Sequence, residues 1–220
     1  MSCTKEPQKE SMTQEECENP GSTAWPEGRA YEMDEFADAA TAMDAYAAFH
    51  ARALTTGLAR SRSLVFVPNQ YGLGNRLRAM KSALLLAMLT GRVFFVRWND
   101  PYPLVNVVQP ARIDWRELDP PLERAQGTPM VRNGTATVPG GPAYMLCLPF
   151  ATAPAGADCA RGHRDLMSSD MRAVYEQVQS LEVHTFTDLN IFLANNPNYK
   201  ALLQRACPTC RACARARARV

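Results

Sequence analysis

The chain has 220 residues, of which 46% are hydrophobic, and a formal net charge of +2. This composition is sufficient for one sizeable core, and the near-neutral charge gives no indication of a specific nucleic-acid partner. The sequence contains no apolar run of about 18 residues, which excludes an obvious membrane-spanning helix.

The first segment, residues 1–30, is rich in Glu, Pro, Ser and Thr, and we expect it to be disordered. It lacks the apolar stretch of a signal peptide. Residues 31–58 carry an imperfect apolar stripe, which predicts a helix with an acidic first turn. His50 is predicted to lie at or near the surface of this helix, because no second metal ligand is spaced near it.

The next segment predicts a strand, a glycine loop, a helix and a second strand. Leu64–Val67 and Val93–Val96 are apolar runs typical of buried strands. Between them, Gly72 and Gly74 are expected to supply backbone freedom, and a helix begins at Asn75. The apolar positions expected to face the sheet are Leu77, Met80, Leu84 and Met88. Two such strands form a βαβ unit, which predicts an α/β fold with a Rossmann-like, open, mostly parallel sheet and flanking helices.

The start of this helix is a candidate anion site. A glycine loop that enters a helix N-terminus presents free N–H groups, and Arg76 places a cation where the helix dipole disfavours one. That placement is explained if a phosphate-bearing ligand binds there. For Asn75 and Arg76 a functional and a structural role stay equally open, whereas Arg78 and Lys81 are expected to extend into solvent.

Asp100 lies in the loop after the second strand, at the sheet edge where open α/β folds bind ligands. We expect Asp100 to accept a proton from an acceptor hydroxyl, to pair with Arg76, or to shape the turn before Pro101, and these alternatives stay open. Leu104–Val108 is predicted as a further short strand.

The second half of the chain alternates loop composition with short elements. Two strands and two helices are predicted, at Ala143–Leu148, Glu182–Phe186, Asp170–Val178 and Pro197–Arg205. The strand that ends at Phe186 would deliver Asp188 to the same sheet edge as the glycine loop. His184 inside that strand is predicted to be a core or boundary residue.

The last segment, residues 206–220, is a low-complexity tail of Cys, Ala and Arg with little to pack into a core. Cys207, Cys210 and Cys213 have the spacing of metal ligands, but no fourth ligand accompanies them, so no metal site is predicted. Asn133 begins a glycosylation sequon, which matters only if the chain enters the secretory pathway.

Tyr71–Arg76 and Ser82–Val93 together resemble the first conserved block of GDP-fucose-dependent fucosyltransferases. The block looks closest to the plant xyloglucan fucosyltransferase type and is more loosely similar to the nodulation and protein O-fucosyltransferases. It extends over about 30 residues, more than a bare glycine pair would justify. A weaker similarity lies in Val183–Phe186 and Asn190–Pro197.

The resemblance implies that residues 31–205 are the N-terminal, acceptor-side half of a two-domain GT-B glycosyltransferase. Such an enzyme transfers fucose from GDP-fucose to a glycan acceptor with inversion, and it requires no metal or other cofactor. The candidate catalytic residues are Arg76 and Asp100. The candidate substrate-binding residues are Gly72, Gly74, Asn75, Arg76 and Asp188. The H-x-R motif of the family's second domain is not found, so we expect a truncated chain with weak GDP-fucose affinity and little or no turnover.

The alternative is a non-catalytic or degenerate phosphate- or nucleotide-binding α/β module. The two common nucleotide motifs fit poorly. Gly72–Asn75 lacks the third glycine of the dinucleotide fingerprint and an acidic residue about 20 positions later, and no G-K-[ST] sequence is present. For localisation, the resemblance implies the Golgi lumen if an N-terminal anchor is missing from this sequence, and the cytoplasm otherwise.

Overall fold

The computed structural model describes residues 29–56, 61–68, 72–117, 136–138, 141–147, 159–185 and 187–206. The α-helices within these ranges, α1 to α6, are Ala39–Thr56, Leu73–Leu89, Cys159–Ser168, Met171–Val174, Asn190–Leu193 and Lys200–Ala206. The strands, β1 to β5, are Ser63–Pro68, Val93–Val96, Ala136–Val138, Gly141–Cys147 and Ser180–Thr185. Two 3-10 turns lie at Met33–Glu35 and Leu104–Asn106.

The five strands form one sheet in the order β2-β1-β5-β4-β3. β1 pairs in parallel with β2 and with β5, β4 pairs in parallel with β5, and β3 is antiparallel to β4 at the edge. This arrangement confirms the predicted α/β fold with a mostly parallel sheet. Because β1, β2 and β5 run in one direction, their C-terminal ends meet at one edge, where α2 begins and the loop after β2 leaves.

The face of α2 that packs on the sheet differs from the predicted one. Its first two turns leave Leu73 56% and Leu77 37% exposed, and Met80 and Leu84 are only partly buried. Of the predicted positions only Met88 is buried. The other buried residues of this helix are Arg76, Ala79, Ser82, Ala83, Leu86, Ala87 and Leu89. Small side chains let a helix approach the sheet closely, so alanines occupy much of the core face, and Leu77, Met80 and Leu84 lie beside it.

The outer edge of β2 is covered by α1 in place of another strand. The Tyr46 hydroxyl donates to the main-chain oxygen of Arg92 at 2.7 Å, and His50 Nε2 lies 2.9 Å from that of Phe94. His50 is 1% exposed, so the prediction that it lies at or near the surface is wrong. Burial lowers the pKa of His50, and the contact with Phe94 opposes this change. The two side chains satisfy strand carbonyls that would otherwise lack a donor.

The turn from α2 into β2 explains two residues of the Ser82–Val93 block. Gly91 has a φ of 60°, and a Cβ on it would lie 2.7 Å from the main-chain oxygen of Tyr31, so a side chain is excluded there. Arg92 is 1% exposed and donates to the main-chain oxygens of Ser63, Val178 and Tyr175 at 3.1, 2.8 and 2.5 Å. Both residues lie at the N-terminal end of the strands, away from the glycine loop, and their role here is structural.

The first helix begins later than predicted. Residues 31–58 were expected to be helical, but Met33–Glu35 is a 3-10 turn and α1 starts at Ala39. Asp38 caps it, because its Oδ1 accepts from the N–H groups of Ala40 and Thr41 at 2.8 and 3.0 Å. The acidic residues at 32–35 therefore precede the helix.

Leu104–Val108 is not a strand as predicted, because Leu104–Asn106 forms a 3-10 turn. The outer edge of β2 is already occupied by α1 and by Trp115, whose main-chain oxygen accepts from Val96 N at 2.8 Å. No edge remains there for this segment to join. The Leu104 N–H donates instead to the main-chain oxygen of Trp98 at 3.0 Å.

In the C-terminal part, the strands predicted near residues 143–148 and 182–186 are confirmed as β4 and β5. Residues 159–168 form α3, a helix that the sequence patterns did not predict. The helix capped by Asp170 ends at Val174, earlier than predicted, and the last helix begins at Lys200. The predicted disordered segment up to residue 28, the tail from residue 207 with its three cysteines, and the Asn133 sequon lie outside the described residues.

Candidate functional site

The N-terminus of α2 has no side-chain cap. Gly72 is the N-cap residue, and no side chain bonds to the first turn. The N–H groups of Asn75 and Arg76 turn back to the main-chain oxygen of Gly72 at 3.0 and 3.3 Å. The N–H groups of Leu73 and Gly74 precede the first intrahelical donors and stay available to a ligand.

Neither glycine of the loop needs to be glycine for its backbone conformation. Gly72 has φ −57° and ψ 147°, which any residue adopts, and Gly74 lies within α2. The prediction that these glycines supply backbone freedom is therefore wrong. A Cβ on Gly72 or Gly74 would meet no atom within 4 Å. What their missing side chains provide is open space over the first turn of the helix, which lets a ligand approach the backbone.

The polar residues of the first two turns differ in accessibility. Asn75 is exposed beside the open first turn. Arg78 and Lys81 are also exposed, which confirms that they extend into solvent. Arg76 is 6% exposed and lies among the core residues of the helix.

Arg76 joins α2 to the loop that follows β2. Its Nη1 donates to the main-chain oxygen of Asp100, and its Nη2 lies 4.0 Å from Asp100 Oδ2. Its Cζ lies 5.3 Å from the centroid of the Trp98 ring, a cation–π arrangement. These contacts explain how a cation is accommodated at the positive end of a helix dipole.

Of the alternatives for Asp100, the structure contains the pairing with Arg76, and the chain also bends at Asp100 and Pro101. The Asp100 side chain is nevertheless 73% exposed, so its carboxylate faces solvent and can also reach a ligand. The structure thus brings Gly72, Gly74, Asn75, Arg76 and Asp100 together at one edge of the sheet.

Asp188 follows β5 at the same edge, as its position in the sequence predicts. Its Oδ1 accepts from the N–H of Asn190 at 3.1 Å, and it is half-buried at the start of α5. The next residue, Leu189, donates its N–H to Ser82 Oγ of α2 at 2.9 Å. Asp188 is therefore held against α2 through its neighbour, with part of its carboxylate already engaged.

Sequence reasoning missed a second polar cluster near this edge. Arg97, which follows β2, donates from Nε to Glu117 Oε2 at 2.8 Å and from Nη1 to Glu182 Oε1 at 2.5 Å. His184 Nε2 lies 3.1 Å from Glu182 Oε2. Burial opposes the ionisation of Glu182, but the bonds and charges of His184 and Arg97 outweigh it and lower its pKa to about 2. The alternation of Glu182 and His184 along β5 was the only sequence signal, and Glu117 gave none.

The two clusters lie on opposite faces of the sheet. Arg97 continues the β2 ladder, since its N–H donates to the main-chain oxygen of Phe66 at 2.9 Å. Successive side chains of an extended segment point to opposite faces, so Trp98 and the Arg76 that it contacts lie across the sheet from Arg97. The cluster of Arg97, Glu117, Glu182 and His184, called here the Arg97 cluster, therefore lies on the other face of the sheet. It is not part of the glycine-loop site.

The second block of the resemblance contains a buried structural asparagine. Asn196 is 0% exposed, and its Nδ2 donates to the main-chain oxygens of Leu166 and Ser169 at 2.9 and 2.8 Å. Its Oδ1 accepts from the N–H of Asn198 at 2.9 Å. These bonds tie the turn before α6 to the end of α3.

Within the part of the chain that the structure describes, no group of three or more His, Cys, Asp or Glu side chains is arranged to hold a metal ion. Among the same residues, no helix has the length and apolar character needed to cross a membrane.

Solved structures similar to this chain include a plant fucosyltransferase. A mutant of Arabidopsis thaliana FUT1 in complex with GDP superposes with a TM-score of 0.55 at 16% sequence identity. The chain has a fucosyltransferase-like fold. The match covers 78% of this chain and 43% of FUT1, so the chain spans less than half the length of that neighbour. No protein-family model matches the sequence, and no curated protein does.

Proposed function

We propose that the chain is the part of a fucosyltransferase-like glycosyltransferase that meets the donor phosphate and the glycan acceptor. The observation that carries this proposal is the uncapped first turn of α2, where Gly72 and Gly74 leave open space over available N–H groups. Helix N-termini bind anions through such groups, so a phosphate-bearing donor fits there. The likeness to FUT1 in complex with GDP supports GDP-fucose as that donor.

In an inverting transfer, the acceptor hydroxyl attacks the anomeric carbon of fucose while the bond from that carbon to the phosphate oxygen breaks. Negative charge grows on the departing GDP, and positioned donors that face it lower the barrier. Here those donors are the first N–H groups of α2 and the exposed amide of Asn75, with the charge of Arg76 beside them. Asp100 is the candidate acceptor of the hydroxyl proton, Asp188 the candidate contact to substrate, and the proposed step uses no metal ion.

Titration of the isotope-labelled chain with GDP, followed by NMR, tests the donor site. We expect GDP to shift the amide signals of residues 73–76 with a Kd on the order of 1 mM, because the resemblance places most donor contacts in a second domain. GDP and UDP should bind similarly, since the N–H groups at the start of α2 would contact the phosphates and not the base.

Gly74→Ala and Gly74→Val are the decisive variants. Both replace a helical glycine, and their side chains enter open space, so the fold should be as stable as the wild type or more stable by about 0.5 kcal/mol. The added atoms nevertheless fill the space over the N–H groups, so GDP affinity should fall, more for Val than for Ala. Lys81→Ala is the matched control, because it removes an exposed charge from the same helix without touching the first turn.

Unchanged GDP binding by Gly74→Val would contradict phosphate binding at the first turn of α2. An equal loss of affinity in Lys81→Ala would indicate non-specific attraction to a basic helix. Asn75→Ala extends the test, because Asn75 is exposed and its loss should weaken GDP binding without affecting the fold.

The second candidate function is a non-catalytic phosphate-binding module. The open, uncapped first turn of α2 favours it, because these N–H groups would bind phosphate whether or not Asp100 acts as a base. This module would bind GDP in the same way but would release no GDP from GDP-fucose. Release of GDP in the presence of a glycan acceptor, reduced by Asp100→Asn, would decide for the transferase.

A further inference from the structure

We propose that Tyr102 is the platform on which a sugar ring of the acceptor stacks, and that the acceptor is a neutral saccharide with a flat C–H face. This inference rests on the proposed function, since Tyr102 adjoins the site assigned there to the donor phosphate. It deepens that function by naming the residue that receives the acceptor and the chemistry that it recognises.

The loop that carries Tyr102 is closed at its base. The main-chain oxygen of Trp115 accepts from Val96 N at 2.8 Å, and Val96 also forms a bridge with Arg116. Just outside this bridge, Arg97 Nε donates to Glu117 Oε2 at 2.8 Å. Residues 98–116 therefore leave β2 and return to the same strand, as compact surface loops with functional roles often do.

The backbone on both sides of Tyr102 is restrained. Leu104 is 2% exposed and donates its N–H to the main-chain oxygen of Trp98 at 3.0 Å, which anchors the loop in the core. Pro101 and Pro103 flank Tyr102, and each fixes one backbone dihedral. The ring of Tyr102 thus extends from a pre-organised segment, so ligand binding does not incur the entropic cost of ordering the loop.

Tyr102 is 67% exposed. Within the described part of the chain, its ring contacts no other aromatic ring and its hydroxyl has no hydrogen-bond partner. The ring therefore makes no contribution to the core that would explain an aromatic residue at this position. A tyrosine ring at the solvent-exposed edge of a site has an apolar face and a polar hydroxyl. It is a typical contact surface for a ligand with an apolar face and a polar rim.

The surroundings of Tyr102 fit hydroxyl groups and not a charged ligand. Residues 99–111 contain one acidic residue and no Lys, Arg or His. The two arginines later in the loop, Arg112 and Arg116, are paired with Asp44 and Asp114. Asn99, Asp100 and Asn106 are exposed on the same loop, and amides and carboxylates of this kind exchange hydrogen bonds with hydroxyls. A nucleic acid or a phosphorylated ligand would require cations here. A saccharide, with C–H groups on a ring face and hydroxyls at its rim, matches this composition.

The platform lies next to the proposed donor site. Arg76, one residue after Asn75 in α2, donates to the main-chain oxygen of Asp100, two residues before Tyr102. Transfer requires the acceptor hydroxyl and the anomeric carbon to be within bond-forming reach. Arg76 holds the two segments together, so a sugar on Tyr102 would present its hydroxyl beside Asp100.

Saturation-transfer NMR on the full chain tests the platform, with cellobiose and lactose as probes and sorbitol as an acyclic control without a ring face. We expect saturation of the ring protons of both disaccharides and none of sorbitol. Tyr102→Ala should reduce this signal by about fivefold or more, whereas Tyr102→Phe and Tyr102→Trp should retain it. Val107→Ala is the matched control, because Val107 is 68% exposed on the same loop but is not aromatic.

Several results would overturn the proposal: no saturation in the wild type, equal saturation in Tyr102→Ala, or an equal loss in Val107→Ala, which would indicate a general apolar patch. Self-association that is lost in Tyr102→Ala, measured by sedimentation, would place a second copy of the chain on the ring and would also overturn it. GDP-induced shifts of residues 73–76 are recorded on the same samples. If these shifts are present and the sugar signal is absent, only the platform is wrong. If the shifts are absent, the proposed function is wrong.

Discussion

The guanidinium of Arg76 lies 4.0 Å from the carboxylate of Asp100 and donates to the main-chain oxygen of the same residue, but the two side chains are 8% and 73% exposed. The pair therefore has a buried member and a solvated one. The buried arginine holds the backbone of the loop, and the carboxylate remains available to a ligand. This asymmetry separates a structural role from a chemical one within a single contact.

Substitutions at the two positions should have different effects on stability. Arg76→Met removes the donor to the Asp100 carbonyl and the contact with Trp98, so it should lower the free energy of unfolding by about 2 kcal/mol. Asp100→Asn keeps that carbonyl and changes an exposed side chain, so the free energy should stay within about 0.5 kcal/mol. Urea denaturation measures both. Equal destabilisation by the two variants would contradict the division of roles.

Substitution of Arg92 tests most directly whether the Ser82–Val93 block has a structural or a ligand-binding role. Arg92→Met leaves the main-chain oxygens of Ser63, Tyr175 and Val178 without their donor, and it should cost about 3 kcal/mol in the free energy of unfolding. Burial lowers the pKa of Arg92 to about 9, so the guanidinium is charged at neutral pH and all three bonds are charge-assisted.

Arg62→Met is the control for Arg92. Arg62 is only half-buried at the same end of the sheet and makes one longer bond, 3.3 Å to the main-chain oxygen of Glu176, so its loss should cost less than about 1 kcal/mol. Any Arg92→Met protein that stays folded should still show the GDP shifts at the start of α2, because Arg92 lies at the other end of the strands. Loss of those shifts in a folded variant would assign Arg92 to the ligand site.

The Arg97 cluster predicts an acid-dependent loss of stability. The pKa of Glu182 falls from its ordinary value of 4.5 to about 2 on folding, so between these values the unfolded chain binds more protons than the folded one. The contribution of Glu182 is therefore complete above about pH 4.5 and is lost as the pH falls towards about 2. The shift corresponds to about 3 kcal/mol.

Glu182→Gln isolates this contribution. The variant cannot ionise at this position, so its free energy of unfolding should fall less between about pH 5 and about pH 2 than that of the wild type. Urea denaturation at several pH values measures the two curves. Parallel curves over this interval would mean that Glu182 is not held ionised by Arg97 and His184.

Local patterns were sufficient for four of the five described strands and for the class of fold. Two apolar runs joined by a helical segment required a parallel βαβ unit, because buried parallel strands lack an alternating pattern and need a crossover between them. The same argument placed Asp100 and Asp188 at the edge where the strands end. This placement required only that the C-terminal ends of the strands lie at the same edge, and in a parallel sheet they do.

Only the tertiary structure decided which side chains fill the core and which face a ligand. The alanine face of α2, the burial of His50 against the edge of β2 and the union of Arg97 with Glu117 and Glu182 depend on segments far apart in the chain, and periodicity contains no information about such partners. The glycine loop is the clearest case. Its sequence predicted an anion site. The structure shows that its glycines leave open space above the helix and that Arg76 holds the loop that carries Asp100.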